Sequence, residues 1–212
     1  MEESKTRTEP RWERRKDARP SELLEAALEL FAEKGYAATR LEDVAGRAGV
    51  SKGTLYLYFD SKEELFKAVV RGAIVPAIQD AEHLLDQFEG DAAELLRQII
   101  VGWWRFIGAS RVSAIPKLMI CEARNFPEIA EFYYDEVVSR GKRMFARALQ
   151  RGIESGQFRP LDIECTTRIL MSPLLMTCLW QHSLAACERE QPDPERYIET
   201  YLGLVLAGLR NG

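Results

Sequence analysis

Between Ser51 and Tyr58 the chain reads SKGTLYLY, which puts four hydroxyls, one amine and no acid within eight residues. Ser51 can cap a helix starting there. Lys52, Gly53, Thr54, Tyr56 and Tyr58 would then fall on its outer side, a small, hydrogen-bonding, mildly basic surface that fits a DNA major groove. Gly53 offers no side chain, so its use is to let the backbone approach closely. The competing role for Tyr56 and Tyr58 is to pack a small core beneath.

The flanking residues supply elements to position such a face. Apolar residues recur at Leu41, Val44, Ala45, Ala48, Val50 and Leu55, and Gly49 falls where two short helices would turn. Thr39-Arg40-Leu41-Glu42 and Ser61-Lys62-Glu63-Glu64 both fit the S/T-x-x-E capping box. The pattern is a helix-turn-helix. Before it, Leu23, Ala27, Leu30 and Phe31 share one face of a helix predicted over 21–34 that ends at Gly35. After it, a helix opens at Ser61 with Leu65, Phe66, Val69 and Val70 inward, and Pro76 interrupts it. Lys62 would stand at that helix's N-terminus, where amides and dipole already favour a phosphate.

Phe31, Gly35, Tyr36 and Thr39, followed by DVAGRAGVSKGTLYLYFDSKEEL, closely resemble the DNA-binding domain of the tetracycline-repressor (TetR) family. The resemblance spans about residues 20 to 67. A weaker likeness in EARNFPEIAEFYYDEV, from Glu122 to Val137, points to the regulatory half of multidrug-regulator-like members. The resemblance implies that Thr39, Tyr58 and Lys62 touch phosphates, while Ser51, Lys52, Gly53, Thr54 and Tyr56 meet bases or backbone. It also implies a homodimer.

Composition sets the limits on this reading. The 212 residues carry 29 basic and 33 acidic side chains, a net charge of −4, so binding to a duplex must rest on local placement of charge. Cys121, Cys165, Cys178 and Cys187 have no C-x-x-C spacing, and His83 and His182 are the only histidines, so no metal is expected. Residues 1–19 are charge-dense with no apolar stretch. They are either a solvated tail or a basic arm using Arg11, Arg14, Arg15 and Arg19.

Beyond Pro76 the periodicity is helical throughout, predicting an all-α fold: a three-helix DNA-binding domain over 20–67 and a ligand-binding and dimerisation domain over 68–212. Helices are expected over 91–109, 113–125, 127–155, 162–186 and 193–210. The stretch from Ile169 to Cys187 lacks charged residues, but Pro173, Gln181 and His182 make it a poor membrane span. With the equally apolar last helix it suggests a dimer seam, for which Leu202, Leu206 and Leu209 are the candidates. Trp103, Ile107, Met119, Glu122, Tyr133, Met171, Met176 and Trp180 could line a cavity for a small apolar or aromatic effector. Ordinary core packing is the alternative for each, and Glu122 either anchors a cation or caps and pairs with Arg124. No phosphate loop, dinucleotide fingerprint or nucleophile elbow is present, which argues against an enzyme and against a cofactor. The expectation is a cytoplasmic repressor that binds a double-stranded operator and is released by a ligand. Control by a protein partner is the alternative.

Overall fold

The computed structural model describes residues 20–189 and 193–211, and the elements in them are helical apart from one isolated antiparallel bridge between Phe158 and Arg210. The arm reading for Arg11, Arg14, Arg15 and Arg19 lies outside the described residues.

Helix α1 (Pro20–Ala38) buries Leu23, Ala27, Leu30 and Phe31, and its regular turns stop at Gly35, whose φ of 79° a side chain would resist. Helices α2 (Leu41–Arg47) and α3 (Lys52–Tyr56) follow, with Gly49 at φ 71° between them. The Ser51 hydroxyl oxygen accepts from the Thr54 N–H at 3.0 Å. That of Ser61 accepts from the Glu64 N–H at 3.1 Å and opens α4 (Lys62–Ala73). The capping box expected at Thr39 does not form. Arg40 holds the N-cap of α2 without a side-chain bond. Thr39 instead turns its hydroxyl inward onto the carbonyls of Gly35 (2.7 Å) and Leu30 (3.2 Å) in the last turns of α1.

The break expected at Pro76 is present: α5 (Val75–Gln87) starts afresh with that proline in its first turn. Asp91 caps α6 (Ala92–Trp103), which runs into a π-helical turn at Trp104–Gly108. Next come a 3₁₀ turn (Arg111–Ser113) and α7 (Ala114–Glu122). The single helix expected over 127–155 is α8 (Pro127–Tyr133) and α9 (Ser139–Glu154), joined by a second π-helical turn at Tyr134–Val138. Asp162 caps α10 (Ile163–Gln181) and Asp193 caps α11 (Pro194–Leu209). Helix α7 lies along α1 and α8 lies against α4, so one buried core runs from the first four helices into the rest. No described helix is long and apolar enough to cross a membrane.

The segment 157–159 ties three helices together. The Gln157 side chain accepts from the Ala92 N–H at the start of α6 (2.7 Å), and the Arg159 N–H donates to the Leu209 carbonyl at the end of α11 (3.0 Å). Phe158 is driven into the core over Gly152, where an added methyl would stand 2.0 Å from its ring. Gly152→Ala should therefore lower stability by about 1–3 kcal/mol through overpacking. Thermal unfolding followed by circular dichroism reads this, and an unchanged midpoint would show that the ring has room to move.

Candidate nucleic-acid interface and ligand cavity

The outer side of α3 carries Lys52, Gly53 and Tyr56, continued by Leu57 and Tyr58. Thr54 is not on that side. It is 9% exposed, and its hydroxyl pairs with that of Ser51 at 2.8 Å, so both belong to the cap that starts the helix. The residue that sequence reasoning missed is Leu57, an apolar side chain 83% exposed beside the two tyrosines. The alternation L-Y-L-Y was the available signal, since Leu55 is fully buried and Leu57 cannot share its face. Lys52 lies 2.5 Å from the Glu42 carboxylate and over the Tyr56 ring. The ion pair lifts the lysine's pKa and holds the glutamate's below the usual range.

Two residues expected to face a duplex are turned inward at the end of α1. Thr39 is 1% exposed, its hydroxyl committed as described above. The Lys62 ammonium donates to the carbonyls of Tyr36 (2.7 Å) and Ala37 (3.1 Å) and lies 4.5 Å from the centre of the Tyr36 ring. Desolvation there pushes the lysine's pKa down, against the opposing pull of Glu122. The Tyr36 ring stacks on Phe31 and meets Phe66 and Phe126 edge-on, the last at 4.7 Å. Burial raises the pKa of its phenol to about 12.

Behind this junction is a cavity of about 190 Å³, lined almost wholly by apolar side chains of α5, α6, α9 and α10 and of both π-helical turns. The turns supply Phe106 and Ile107 on one side and Val137 and Val138 on the other. Such a turn inserts an extra residue and re-aims the side chains that follow, a common device at binding sites. Of the residues proposed from sequence for a pocket, Trp103, Ile107, Tyr133 and Met171 line this cavity. Met119 is buried but outside it, and Met176 and Trp180 are exposed on the outer side of α10. Glu122 is also outside. It ends α7 near Gly35 and Lys62 and accepts from Asn125 at 3.1 Å, so its role is at the junction.

The three leucines expected at a dimer seam pack within the protomer. Leu202 is fully buried and Leu209 nearly so within the protomer, and Leu206 packs on the same core. The apolar residues of α11 that face outward are Tyr197 and Leu204, seven residues apart. Ile169 and Met176, also seven apart, face outward from α10, followed by Trp180.

Comparison with known proteins settles what this arrangement belongs to. Residues 23–69 match the family of bacterial regulatory proteins named tetR, and residues 94–207 match the C-terminal domain of AefR-like transcriptional repressors. The chain belongs to the TetR family. It is 28% identical over 195 residues to the transcriptional repressor KstR2 of Mycobacterium tuberculosis, covering 91% of this chain and 94% of the relative. The solved structure of that ketosteroid transcriptional regulator superposes with a TM-score of 0.73 at 26% identity, over 95% of this chain and all of that one. The FadR regulator of Bacillus subtilis, solved in complex with stearoyl-CoA, shares the fold at 22% identity with a TM-score of 0.70, over 91% of this chain and all of that one. The relatives are transcriptional regulators, and this TetR-family chain is a DNA-binding transcriptional regulator.

In this TetR protein Lys62 is a helix cap in the free state. Two charge-assisted bonds to carbonyls depend on it, so Lys62→Met should cost about 1.5–3 kcal/mol of stability in the absence of DNA. Denaturant unfolding of the DNA-free protein checks this. A variant as stable as the parent would free the lysine for a duplex.

Proposed function

We propose that the protein is a repressor that binds a pseudo-palindromic operator as a homodimer and leaves it when a small, largely apolar molecule fills the cavity. In this reading residues 20–67 read DNA, and residues 68–212 sense the ligand and dimerise. The observation that carries it is the continuity of α8. Phe126, at its start, touches the Tyr36 ring at the end of α1, and Phe132 lies under Arg71 (4.9 Å) and Lys67 (5.8 Å) of α4. The next residue, Tyr133, lines the cavity. A molecule that displaces Tyr133 therefore pushes on the reading head through two adjacent residues. Helix α4 itself supplies no lining residue, so the ligand acts through α8 rather than by wedging beside α4. The relative named for ketosteroids supports an apolar effector, and the cavity favours a ligand over control by a protein partner.

On the duplex Lys52 is the phosphate contact. Its bond to Glu42 is an exposed ion pair, worth about 0–1 kcal/mol, and yields easily to a phosphate. Leu57 suits a thymine methyl, with Tyr56 and Tyr58 alongside and the Gly53 backbone close to the groove. Two such faces need half-sites about 34–36 Å apart or multiples of that. Selecting bound fragments from the native genome tests this, and tight fragments without an inverted repeat would overturn it. Lys52→Ala, by removing two contacts per dimer, should shrink the slope of log K against log salt by about 1.8. An unchanged slope would place the lysine off the DNA.

The outward residues of α10 and α11 form the dimer seam. Leu204 is 73% exposed in the protomer, so Leu204→Glu leaves the protomer folded. It should yield monomers by light scattering and lose operator binding, whereas a dimer with full affinity would move the seam elsewhere. Leu202→Glu should instead unfold the protomer, because it buries a charge in its core.

A further inference from the structure

We infer that the effector is an uncharged molecule of roughly one or two rings, bearing one oxygen that accepts a hydrogen bond from Tyr133. The inference rests on the ligand-released reading above and names the chemistry of that ligand. Three observations carry it, concerning size, charge and an unused donor.

Size comes first. A cavity of about 190 Å³ is a little larger than the roughly 150 Å³ that holds benzene and smaller than the roughly 300–1,000 Å³ of pockets that enclose drug-sized molecules. A long acyl chain with a nucleotide head does not fit inside it as built.

Charge comes second. Asp80, exposed on α5, is the only charged residue among those lining the cavity. No basic side chain lines the cavity, and several arginines of α9, which supplies Gly141, Met144 and Phe145 to the lining, are engaged elsewhere. Arg140 forks onto Glu82 (2.9 and 2.5 Å), Arg147 bonds Asp86 (2.7 Å), and Arg151 donates to the Phe88 carbonyl (2.6 Å). Arg143 donates to the Ser139 hydroxyl (3.3 Å) and faces the field of Glu82. None of these lines the cavity. A carboxylate or phosphate group would therefore meet like charge at Asp80 and find no cation to pair with, the arrangement that makes a buried anion unfavourable.

The third observation is the donor. The Tyr133 side chain is 8% exposed, it lines the cavity, and its hydroxyl makes no hydrogen bond to another described residue. Buried phenols normally find a partner. Gln98, the other uncharged hydrogen-bonding side chain of the lining, already donates its amide to Glu94 at 3.0 Å. One amide N–H of Gln98 is used on Glu94 at the half-exposed edge of the lining, so the phenol is the buried donor without a partner among the described residues, and a ketone or ether oxygen is what it would take.

The test titrates the full-length protein with acetophenone, its hydrocarbon analogue α-methylstyrene, its anionic analogue benzoate, and stearoyl-CoA, read by calorimetry and by the emission of Trp103. Acetophenone should bind most tightly. Tyr133→Phe should weaken acetophenone by about three- to tenfold, the worth of one neutral hydrogen bond, while leaving α-methylstyrene unchanged. Asp80→Lys, a change at an exposed position that leaves the core alone, should bring benzoate up towards acetophenone. The inference is overturned if benzoate or stearoyl-CoA binds the parent as tightly as acetophenone. It is equally overturned if Tyr133→Phe leaves the acetophenone affinity where it was, or if no probe binds. Operator affinity measured with saturating acetophenone separates this from the broader reading. If acetophenone binds through Tyr133 yet operator affinity holds, ligand release fails and the ligand class stands.

Discussion

Helix α1 cannot end without partners for its last carbonyls, and how that need is met governs the rest of the molecule. Gly35 takes a left-handed turn, Thr39 reaches back to Leu30 and Gly35, and Lys62 arrives from the next helix but two to hold Tyr36 and Ala37. Three of these bonds are buried or half-buried, where an unpaired carbonyl is costly, and the one to Ala37 is exposed. They fix the direction in which α2 and α3 leave, and so the direction in which Lys52, Tyr56 and Leu57 point. The same spot is an aromatic joint, because Tyr36 touches Phe31 and Phe66 on one side and Phe126 on the other. The reading head and the ligand half therefore share one joint.

That joint explains why an apolar cavity can matter to a surface it does not touch. Packed rings do not deform continuously. They shift between arrangements, and a change at Tyr133 reaches Phe132 within one residue. The ion pair across the boundary, Arg111 to Glu29, adds little, since the arginine is largely exposed. If the proposed ligand release operates, a coupling of about 1–3 kcal/mol between cavity and operator would change DNA affinity roughly five- to 150-fold, and the operator would weaken the ligand equally.

The elements were readable from sequence because their signals are local. Ser51, Ser61, Asp91, Asp162 and Asp193 cap the helices they precede, and Gly35 and Gly49 take positive φ where turns were expected. The residues that sit otherwise than expected depend on neighbours distant in sequence. Lys62 looked like a phosphate contact, but the carbonyls it holds lie 25 and 26 residues away. Thr54 looked outward until the turn of α3 gave that side to Tyr56. In α11, apolar residues occur on nearly every side, so the pattern does not say which stripe faces out. Leu202 and Leu209 went to the core and Leu204 to the surface. The two π-helical turns add a residue each and shift the phase of everything after them, which simple periodicity does not register.

In the proposed switch, a ligand moves the two reading heads of the dimer relative to each other. The most direct test of this motion is the distance between spin labels placed at position 60 of each protomer, with Cys121, Cys165 and Cys187 replaced by serine. The distance is measured by pulsed electron resonance in the free, operator-bound and acetophenone-bound dimer. The account predicts one narrow distance on the operator and a displaced distribution with the ligand. The same distance in the ligand-bound and operator-bound states would contradict it.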